Sequence, residues 1–402
     1  MTNEMLTVES VATYINTREP LTGLIDTTSM TVAEVGDGNL NQVFLCEDDA
    51  GRKLVLKQAL PYVRLVGPAW PMTVDRAARE AHALTTHSAL APELVCRVID
   101  YNPDEYVLAL EDLSDHEVFR TRLNAGGDHA GVFEAVSRLT AKVLFGTSWL
   151  ALGEEGFRLQ AAETTNSELC LITEELVLTE PYVGGERNSV HPTIKGLVSE
   201  LQADDAWIAA AMQMKRRFLT CQEALVHGDL HTGSIFVRGT ENSADFSVRA
   251  FDSEFAFYGP IGLDLGLLWA NIIAAAARAS ALGEDDRATS LLQTIEPSWN
   301  AFVAELRALW PSRVKPAEYP DAFLESWLAS ILDDALGFAG AECCRRIIGL
   351  AKLSDIESLP EDRYAAGAGV VLRVGRSLLI NRSARELSTY LDEFNAERAA
   401  NV

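Results

Sequence analysis

The stretch Val226-His227-Gly228-Asp229-Leu230-His231-Thr232-Gly233-Ser234-Ile235-Phe236 decides how the rest of the chain is interpreted. It places a carboxylate, Asp229, on a short loop after a His-Gly turn, five residues before the small polar side chain of Ser234. In phosphoryl transfer such a carboxylate orients the attacking hydroxyl and accepts its proton, while the polar residue lies near the metal. His-Gly-Asp also occurs in ordinary turns, and the tripeptide alone slightly favours that interpretation.

An acidic pair, Asp252 and Glu254, follows this loop at hairpin distance. If residues 247–251 form a strand, the two side chains leave its end on the same side. Mg²⁺ is usually held by one or two carboxylates together with phosphate oxygens. The pair therefore predicts a magnesium site, and a solvated acidic turn is the alternative that the first motif makes less attractive.

Composition and charge restrict the class of protein. The 402 residues are enough for two or three cores of ordinary domain size, and 48% of them are hydrophobic. The balance of 34 basic against 58 acidic residues gives a formal net charge of −24, which opposes binding to nucleic acid or to an anionic membrane. The first five residues lack the apolar core of a signal peptide. We therefore expect a cytoplasmic protein whose phosphate site is built locally.

Cysteines and the longest apolar run agree with that expectation. The six cysteines follow no regular framework, and the adjacent Cys343 and Cys344 lack zinc-site spacing, so reduced thiols are expected. The apolar run over 261–277 contains Asp264 and Asn271, which favours a buried helix over a membrane span. Asp264 lies near the start of this helix, where free backbone N–H groups favour a carboxylate, and we expect it to brace the catalytic loop.

The N-terminal part reads as a short helix over 6–15 followed by strands over 31–35, 42–46 and 54–58. Between the first two strands lies Gly36-Asp37-Gly38-Asn39-Leu40-Asn41. Its glycines and asparagines tolerate a tight turn in which backbone amides approach the phosphates of a nucleotide. Asp-Gly is also among the commonest hairpin turns, so this signal is weak by itself.

A lysine inside the third strand strengthens the nucleotide interpretation. Lys57 lies within an apolar run, where a charge needs a partner, and in kinases the equivalent lysine contacts phosphates and pairs with a helix glutamate. A helix predicted over 71–84, capped by Thr73, supplies Glu80 as that partner. The alternatives are an edge-strand lysine that blocks aggregation and a glutamate on a solvated helix face.

The pattern changes from strands to helices near Ser114. Strands over 97–100 and 106–110 lead to Glu111, Asp112 and Leu113, where a hinge would present backbone groups to adenine. This change predicts an α+β fold with a nucleotide-binding lobe at 1–113 and a mainly helical lobe at 114–402 that carries catalysis and substrate binding. Helices are predicted over 131–145, 200–219, 263–281, 288–309, 321–353, 362–381 and 383–397, and loops over 153–156, 183–192 and 353–360.

Two adjacent arginines, Arg345 and Arg346, lie in an apolar helical segment. Successive helix residues are about 100° apart, so the two should not face the same way, and at least one should point to something that needs a cation. The alternative is a salt-bridged helix surface with Glu342 as the partner. From the residues alone the two interpretations are equally good.

The order of these motifs resembles the choline-kinase and aminoglycoside-phosphotransferase branch of the kinase fold. In detail the chain is similar to the 5-methylthioribose kinases in segments spread over 36–350. Those segments are Gly36 to Asn41, Lys57-Gln58-Ala59-Leu60-Pro61-Tyr62-Val63-Arg64, His227-Gly228-Asp229-Leu230-His231-Thr232-Gly233-Ser234-Ile235 and Glu254-Phe255-Ala256-Phe257-Tyr258-Gly259-Pro260-Ile261-Gly262. Ser234, where the aminoglycoside branch normally has Asn, and Glu254, where protein kinases have Gly, both match that family.

The resemblance implies a two-lobed, protein-kinase-like fold with a small antiparallel N-terminal sheet. It also implies Mg²⁺- and ATP-dependent phosphorylation of the 1-hydroxyl of 5-methylthioribose in methionine salvage, by a homodimer. Asp229 would orient and deprotonate the hydroxyl, and Arg345 and Arg346 would lie beside the sugar and the transferred phosphate. The other implied roles are nucleotide binding by Gly36, Asp37, Gly38, Asn39, Leu40, Asn41, Lys57, Glu80, Glu111, Asp112 and Leu113, metal binding by Asp252, Glu254 and Ser234, and substrate contact by Trp70.

Two other functions remain open from the residues. The first is an aminoglycoside or choline kinase of the same fold; Ser234 and the arginine pair count against it, whereas the acidic surface would help to bind a polycation. The second is a nucleotide-binding pseudokinase, which would be expected to lack the acid, the lysine or the metal ligands. Because Asp229, Lys57 and Asp252 are all present, the pseudokinase is the weaker of the two.

Overall fold

The protein is described as a computed structural model that covers residues 5–35, 40–64, 67–384, 387 and 389–399. The predicted α+β class is confirmed, with a small antiparallel sheet first and helices through most of the remainder. The strands are β1 Thr31–Glu34, β2 Asn41–Glu47, β3 Lys53–Ala59, β4 Val98–Asn102, β5 Val107–Leu110, β6 Glu117–Val118, β7 Ala224–Val226, β8 Ile235–Arg238, β9 Ser247–Ala250 and β10 Phe257–Gly259.

The α-helices of the described residues range from one turn to 28 residues. They are α1 Val11–Thr17, α2 Arg76–Leu90, α3 Phe119–Asn124, α4 Val132–Thr147, α5 Trp149–Glu163, α6 Ser167–Ile172, α7 Glu180–Val183, α8 Lys195–Gln202, α9 Asp205–Thr220, α10 Gly262–Ala281, α11 Asp285–Leu292, α12 Ile295–Leu309, α13 Asp321–Ile348, α14 Ser354–Glu357, α15 Glu361–Asn381 and α16 Thr389–Ala399.

The N-terminal sheet has the strand order β1-β2-β3-β5-β4, and every neighbouring pair is antiparallel. Successive side chains of a strand point to opposite faces. In β3, Leu54 and Leu56 accordingly pack into the same cluster as the helix α1 residues Val11 and Ile15, whereas Lys57 faces the other way. The alternation of β3 therefore presents Lys57 to the space between the sheet and the helical part.

Helix α2 begins five residues later than predicted and continues to Leu90. The reason is that the chain folds back on itself between residues 61 and 72. The Val63 amide donates to the Trp70 carbonyl, and the Met72 amide donates to the Pro61 carbonyl. These bonds keep the chain extended past residue 71, so Thr73 lies before the helix and does not cap it. The residues after 84 are all helix-compatible, and the helix runs on for six more of them.

Other predicted boundaries were wrong for local reasons. The predicted helix over 200–219 is two helices, because the Asp204 side chain accepts from the Ala206 and Trp207 amides and starts α9 afresh. The predicted helix over 288–309 is likewise divided into α11 and α12. The predicted loop over 153–156 lies inside α5, which bends at Gly153 with a φ of 71°.

The predicted buried helix is confirmed as α10. The 18-residue window that would be apolar enough to cross a membrane is 94% buried in the protein. Its close neighbour is α13: a Cβ on Gly262 would lie 2.6 Å from the Ala335 backbone nitrogen, and one on Gly266 would lie 2.6 Å from the Ala335 carbonyl oxygen. The two glycines thus allow α13, which carries Arg345 and Arg346, to pack closely on the helix that carries Asp264.

Candidate active site

The loop of residues 227–234 is held by α10. The Asp264 carboxylate accepts hydrogen bonds from the His227 amide at 2.8 Å and from the Gly228 amide at 3.0 Å. The His227 imidazole contacts the Phe251 carbonyl at 2.9 Å, just before the acidic pair. The predicted bracing role of Asp264 is confirmed, and the same set of bonds ties the loop to the strand that delivers Asp252.

Gly228 is required by this loop. Its φ is +83°, and a Cβ there would lie 2.3 Å from the Phe255 carbonyl oxygen. We expect Gly228→Ala to displace the loop and lower kcat by about 10²-fold, since a shift near 1 Å at a reacting group has that effect. Gly184→Ala is the matched control, because Gly184 has a φ of +82° and nothing within 4 Å. Equal loss of activity and of thermal stability in the two variants would contradict this explanation.

The Asp229 side chain is 27% exposed and opens into the cleft. One of its oxygens lies 3.3 Å from His231 Nε2, and the other lies 3.7 Å from Arg345 Nη2 and 3.8 Å from Arg346 Nη2. Burial alone raises the pKa of such a group, but His231 and the two arginines outweigh it and hold the pKa of Asp229 well below its usual range. Because burial lowers the pKa of His231, the arginines supply the lasting positive charge.

Both arginines face Asp229, so the expectation that they diverge was wrong. Both side chains are long enough to converge, and both bind Glu342: Arg345 Nε donates to one carboxylate oxygen and Arg346 Nε to the other, each at 2.6 Å. The predicted salt bridge to Glu342 is therefore confirmed as well, but it lies in the interior, with Glu342 0% exposed. The two interpretations of the arginine pair were not alternatives.

Lys57 pairs with Glu80 as predicted, with Nζ 2.7 Å from the carboxylate, and it also contacts Asp252. Burial lowers the pKa of a lysine, but Asp252, Glu80 and Glu254 outweigh it and raise the pKa of Lys57, which stays charged. Oxygens of Glu80, Asp252 and Glu254 all lie within 4.8 Å of one another. The expectation that Asp252 and Glu254 lie on the same side is confirmed by this distance, although β9 ends at Ala250 and strand alternation does not place them.

The chain reaches Asp252 in a left-handed conformation with a φ of 67°. Asp and Asn tolerate this region better than most residues. The side chain is 41% exposed, whereas that of Glu254 is 4% exposed. Asp252 is thus the carboxylate of the pair that is more open to the cleft.

Glu254 is held by two residues, of which one was not expected at the site. Asn41 Nδ2 donates to its carboxylate at 2.9 Å, and Arg76 Nε lies 3.3 Å away. Arg76 is fully buried and also donates to the Leu40 carbonyl at 2.9 Å. Its position at the first turn of α2 carries no sequence signal that separates it from an exposed helix arginine.

A cleft of about 1000 Å³ joins these groups. It is lined at the sheet side by Lys57 and by the predicted hinge residues Glu111, Asp112 and Leu113, with Leu40 and Asn41 beside them. Gly36, Asp37, Gly38 and Asn39 lie outside the described residues, so their assignment to the nucleotide stays a prediction. Trp70 also lines the cleft, and the Arg187 guanidinium lies 5.8 Å from its ring centroid.

Ser234 lies in the loop, but its hydroxyl is already engaged. It donates to the Asp229 carbonyl at 3.0 Å and contacts His231 Nδ1 at 3.1 Å. This geometry shows that Ser234 braces the loop. A role for Ser234 as a metal ligand stays a prediction. Sequence reasoning missed His231 and Arg120 as cleft residues; Arg120 reaches the cleft from α3 while donating to Thr232 at 3.2 Å and Asn271 at 2.9 Å.

Comparisons with known proteins show which family the chain is similar to. The model of the phosphotransferase enzyme family matches residues 31–299, a range that includes Lys57, Asp229 and Asp252. A methylthioribose kinase of Yersinia pseudotuberculosis serotype O:1b (strain IP 31758) is 38% identical over 362 residues, which cover 87% of this chain and 86% of the relative. One of Pectobacterium atrosepticum is 38% identical over 364 residues, 88% of each chain. Among solved structures, an ethanolamine kinase of Plasmodium vivax has a TM-score of 0.45 and 12% identity, covering 100% of this chain and 90% of that one.

Proposed function

This chain belongs to the methylthioribose kinases, within the phosphotransferase enzyme family, and on that premise we propose that it transfers the γ-phosphoryl group of ATP to the 1-hydroxyl of 5-methylthioribose. The products are ADP and 5-methylthioribose 1-phosphate, a step of methionine salvage. The hydroxyl oxygen forms the new bond to phosphorus, the bond from the γ-phosphorus to the bridging oxygen breaks, and the hydroxyl proton leaves toward Asp229.

One observation carries the choice of acceptor: the acceptor side of the cleft presents cations next to apolar groups. Arg120, Arg345 and Arg346 line it, with Leu267 and Phe338 close by. Because the carboxylates of Asp229 and Glu342 are paired with guanidinium groups here, this wall leaves little negative charge for the polycation of an aminoglycoside or the quaternary ammonium of choline, whereas the guanidinium groups suit a neutral sugar that becomes a phosphate ester. Apolar side chains in the same place favour a sugar with an apolar substituent, such as the methylthio group.

The remaining residues take the roles that their contacts support. Asp229 orients the hydroxyl, and the two guanidinium groups on its far oxygen neutralise charge on the transferred phosphoryl group. Lys57, fixed by Glu80, binds phosphate oxygens of ATP, with Leu40, Asn41 and Glu111 to Leu113 around the nucleotide. Trp70 lines the same cleft from the loop before α2 and would contact the substrate.

The donor set fits Mg²⁺. Asp252 and Glu254 offer the hard carboxylate oxygens that this ion prefers. Lys57 pairs with Asp252 and Arg76 pairs with Glu254, so the negative charge of both carboxylates is balanced. When bound with ATP, the ion would neutralise phosphate charge in addition to that neutralised by Lys57. Ser234 remains the third proposed ligand.

We further propose a division into a nucleotide-binding lobe over 1–113 and a catalytic, substrate-binding lobe over 114–402, in a cytoplasmic homodimer. The first five strands all precede residue 114, and the cleft lies between them and the helical part, which supports that division. All six cysteines are free, and five of them are buried, which fits a reducing compartment.

A coupled ADP-release assay tests the proposed function. The protein is given Mg-ATP with 5-methylthioribose, ribose, choline or kanamycin in parallel. We expect turnover with 5-methylthioribose to exceed that with ribose by about 10-fold or more, since burying one methylthio group is worth about 1–3 kcal/mol. Higher turnover with kanamycin or choline would overturn the choice of acceptor but would leave the phosphotransfer chemistry intact.

A further inference from the structure

Viewed along the axis of α13, Glu342 lies between Arg345 and Arg346. With 3.6 residues per turn, Arg345 is displaced by about 60° to one side of Glu342 and Arg346 by about 40° to the other. The carboxylate is divided between them, one oxygen for each Nε at 2.6 Å. Glu342 thereby binds each guanidinium through its Nε. The Nη2 atoms of both guanidinium groups are directed at the same Asp229 oxygen, at 3.7 and 3.8 Å.

The arrangement leaves a donor free for substrate. Arg346 Nη2 is buried and has no hydrogen-bond partner among the described residues. A buried guanidinium donor without an acceptor is costly, so such a group in a cleft is suited to a ligand oxygen. Glu342 itself is 0% exposed; it lies in the wall of the cleft, and each of its carboxylate oxygens is engaged by one of the two arginines.

We propose that Glu342 is the positioning residue that makes two adjacent helix arginines converge on Asp229 and on the phosphoryl group in transit. A carboxylate can do this because it accepts from both sides at once. An amide cannot, since one of its two ends is an N–H₂ donor that faces a guanidinium donor. Without the carboxylate, only the longer contacts with Asp229, at 3.7 and 3.8 Å, would draw together two side chains that start about 100° apart on the helix.

The decisive variant is Glu342→Gln, which keeps the size and removes one acceptor. Asp334→Asn is the matched control: Asp334 is a second buried carboxylate on α13 that pairs with an arginine, Arg217 Nε at 2.7 Å, and it does not line the cleft. Glu342→Asp keeps both acceptors on a shorter side chain. All three are purified and compared at a temperature at which thermal unfolding shows them folded.

We expect Glu342→Gln to lower kcat by about 10²-fold with little change in the KM for ATP, the signature of an interaction made in the transition state. Glu342→Asp should recover part of that loss, and Asp334→Asn should lower stability but not kcat. Crystals of Glu342→Gln should show at least one guanidinium withdrawn from Asp229. Both guanidinium groups remaining in place, or a kcat loss no larger than in Asp334→Asn, would overturn the proposal.

The kinetic test of Glu342→Gln rests on the proposed function, whereas the crystal structure of that variant does not. If the unmodified protein fails to phosphorylate 5-methylthioribose, the proposed acceptor is wrong. The positions of the two guanidinium groups in Glu342→Gln crystals still decide whether Glu342 holds them.

Discussion

Replacing Asp229 by Asn is expected to lower kcat with 5-methylthioribose by about 10³-fold, within the range that a positioned acid–base group contributes. The amide keeps the size of the side chain, but it cannot accept the proton and presents an N–H₂ group toward the hydroxyl or the arginines. Binding of ATP should be nearly unchanged, because Lys57 is held by Glu80 and Asp252 and does not depend on Asp229 for its position. Rapid-quench turnover and calorimetric titration with ATP measure the two quantities.

The pH dependence follows from the ionisation of Asp229. Its pKa is held well below the usual range, so the carboxylate is ionised throughout the neutral range, and its contribution is lost only as the pH falls through that low pKa. A carboxylate held in its charged form is a weak base but still accepts a hydrogen bond from the hydroxyl, so the loss in Asp229→Asn includes lost orientation as well as lost proton acceptance. We therefore expect the ratio of wild-type to Asp229→Asn activity to stay constant from about pH 6 to pH 8.

Asp48→Asn controls for the loss of a buried carboxylate as such. Asp48 is 5% exposed, and it accepts from the Asp26 amide at 2.8 Å in a turn outside the cleft. This variant should lose stability but keep its kcat. An Asp229→Asn enzyme within about tenfold of wild type would remove Asp229 from the reaction and, with it, the proposed mechanism.

The fold could be predicted from the sequence where the signals are local. A short apolar run with a lysine inside it identified β3 and predicted a partner for Lys57, and an apolar run that contains two polar residues identified α10 as buried. Boundaries failed where a distant contact or a single cap decides them. The start of α2 depends on hydrogen bonds within the folded-back segment 61–72, and the break before α9 depends on the Asp204 side chain.

The site could be predicted in part. Each of the predicted motifs lies next to a strand or helix that the sequence also predicts: the Asp229 loop, Lys57, Glu80 and the acidic pair. Their order along the chain was therefore enough to predict that they form one site. Arg76, Arg120 and His231 were missed because an arginine or histidine in a polar sequence context has no periodic signature. Their roles arise from burial that only the assembled fold creates.

The arginine pair shows most clearly what the sequence alone could not predict. A helical wheel places Cα atoms, whereas the chemistry depends on guanidinium groups at the end of long, flexible side chains. The wheel was right that the two Cα–Cβ bonds diverge, and it could not show that a buried glutamate between them reverses the effect. Adjacent arginines three and four residues after a glutamate in an apolar helix would be the signal to look for.

Replacing Asp252 by Asn should have an effect of similar size, about 10³-fold on kcat, because phosphoryl transfer depends on several kcal/mol of charge stabilisation at the phosphates. Asn tolerates the left-handed φ of 67° at this position, so the backbone should be retained. Lys57 keeps Glu80 as a partner at 2.7 Å and remains fixed. The change therefore removes the negative charge of one proposed metal ligand, together with its ion pair to Lys57.

Nucleotide binding gives a readout that does not depend on turnover. In wild type, Mg²⁺ should strengthen binding of ATP, and in Asp252→Asn that gain should shrink, whereas ATP in the presence of EDTA should bind as well or better because a negative charge has gone from beside its phosphates. Asp100→Asn is the control, since Asp100 pairs with Arg18 at 2.6 Å outside the cleft. If Asp252→Asn kept the full effect of Mg²⁺ on ATP affinity, the metal would have to be held by Glu254 and Glu80, and Asp252 would serve only to fix Lys57.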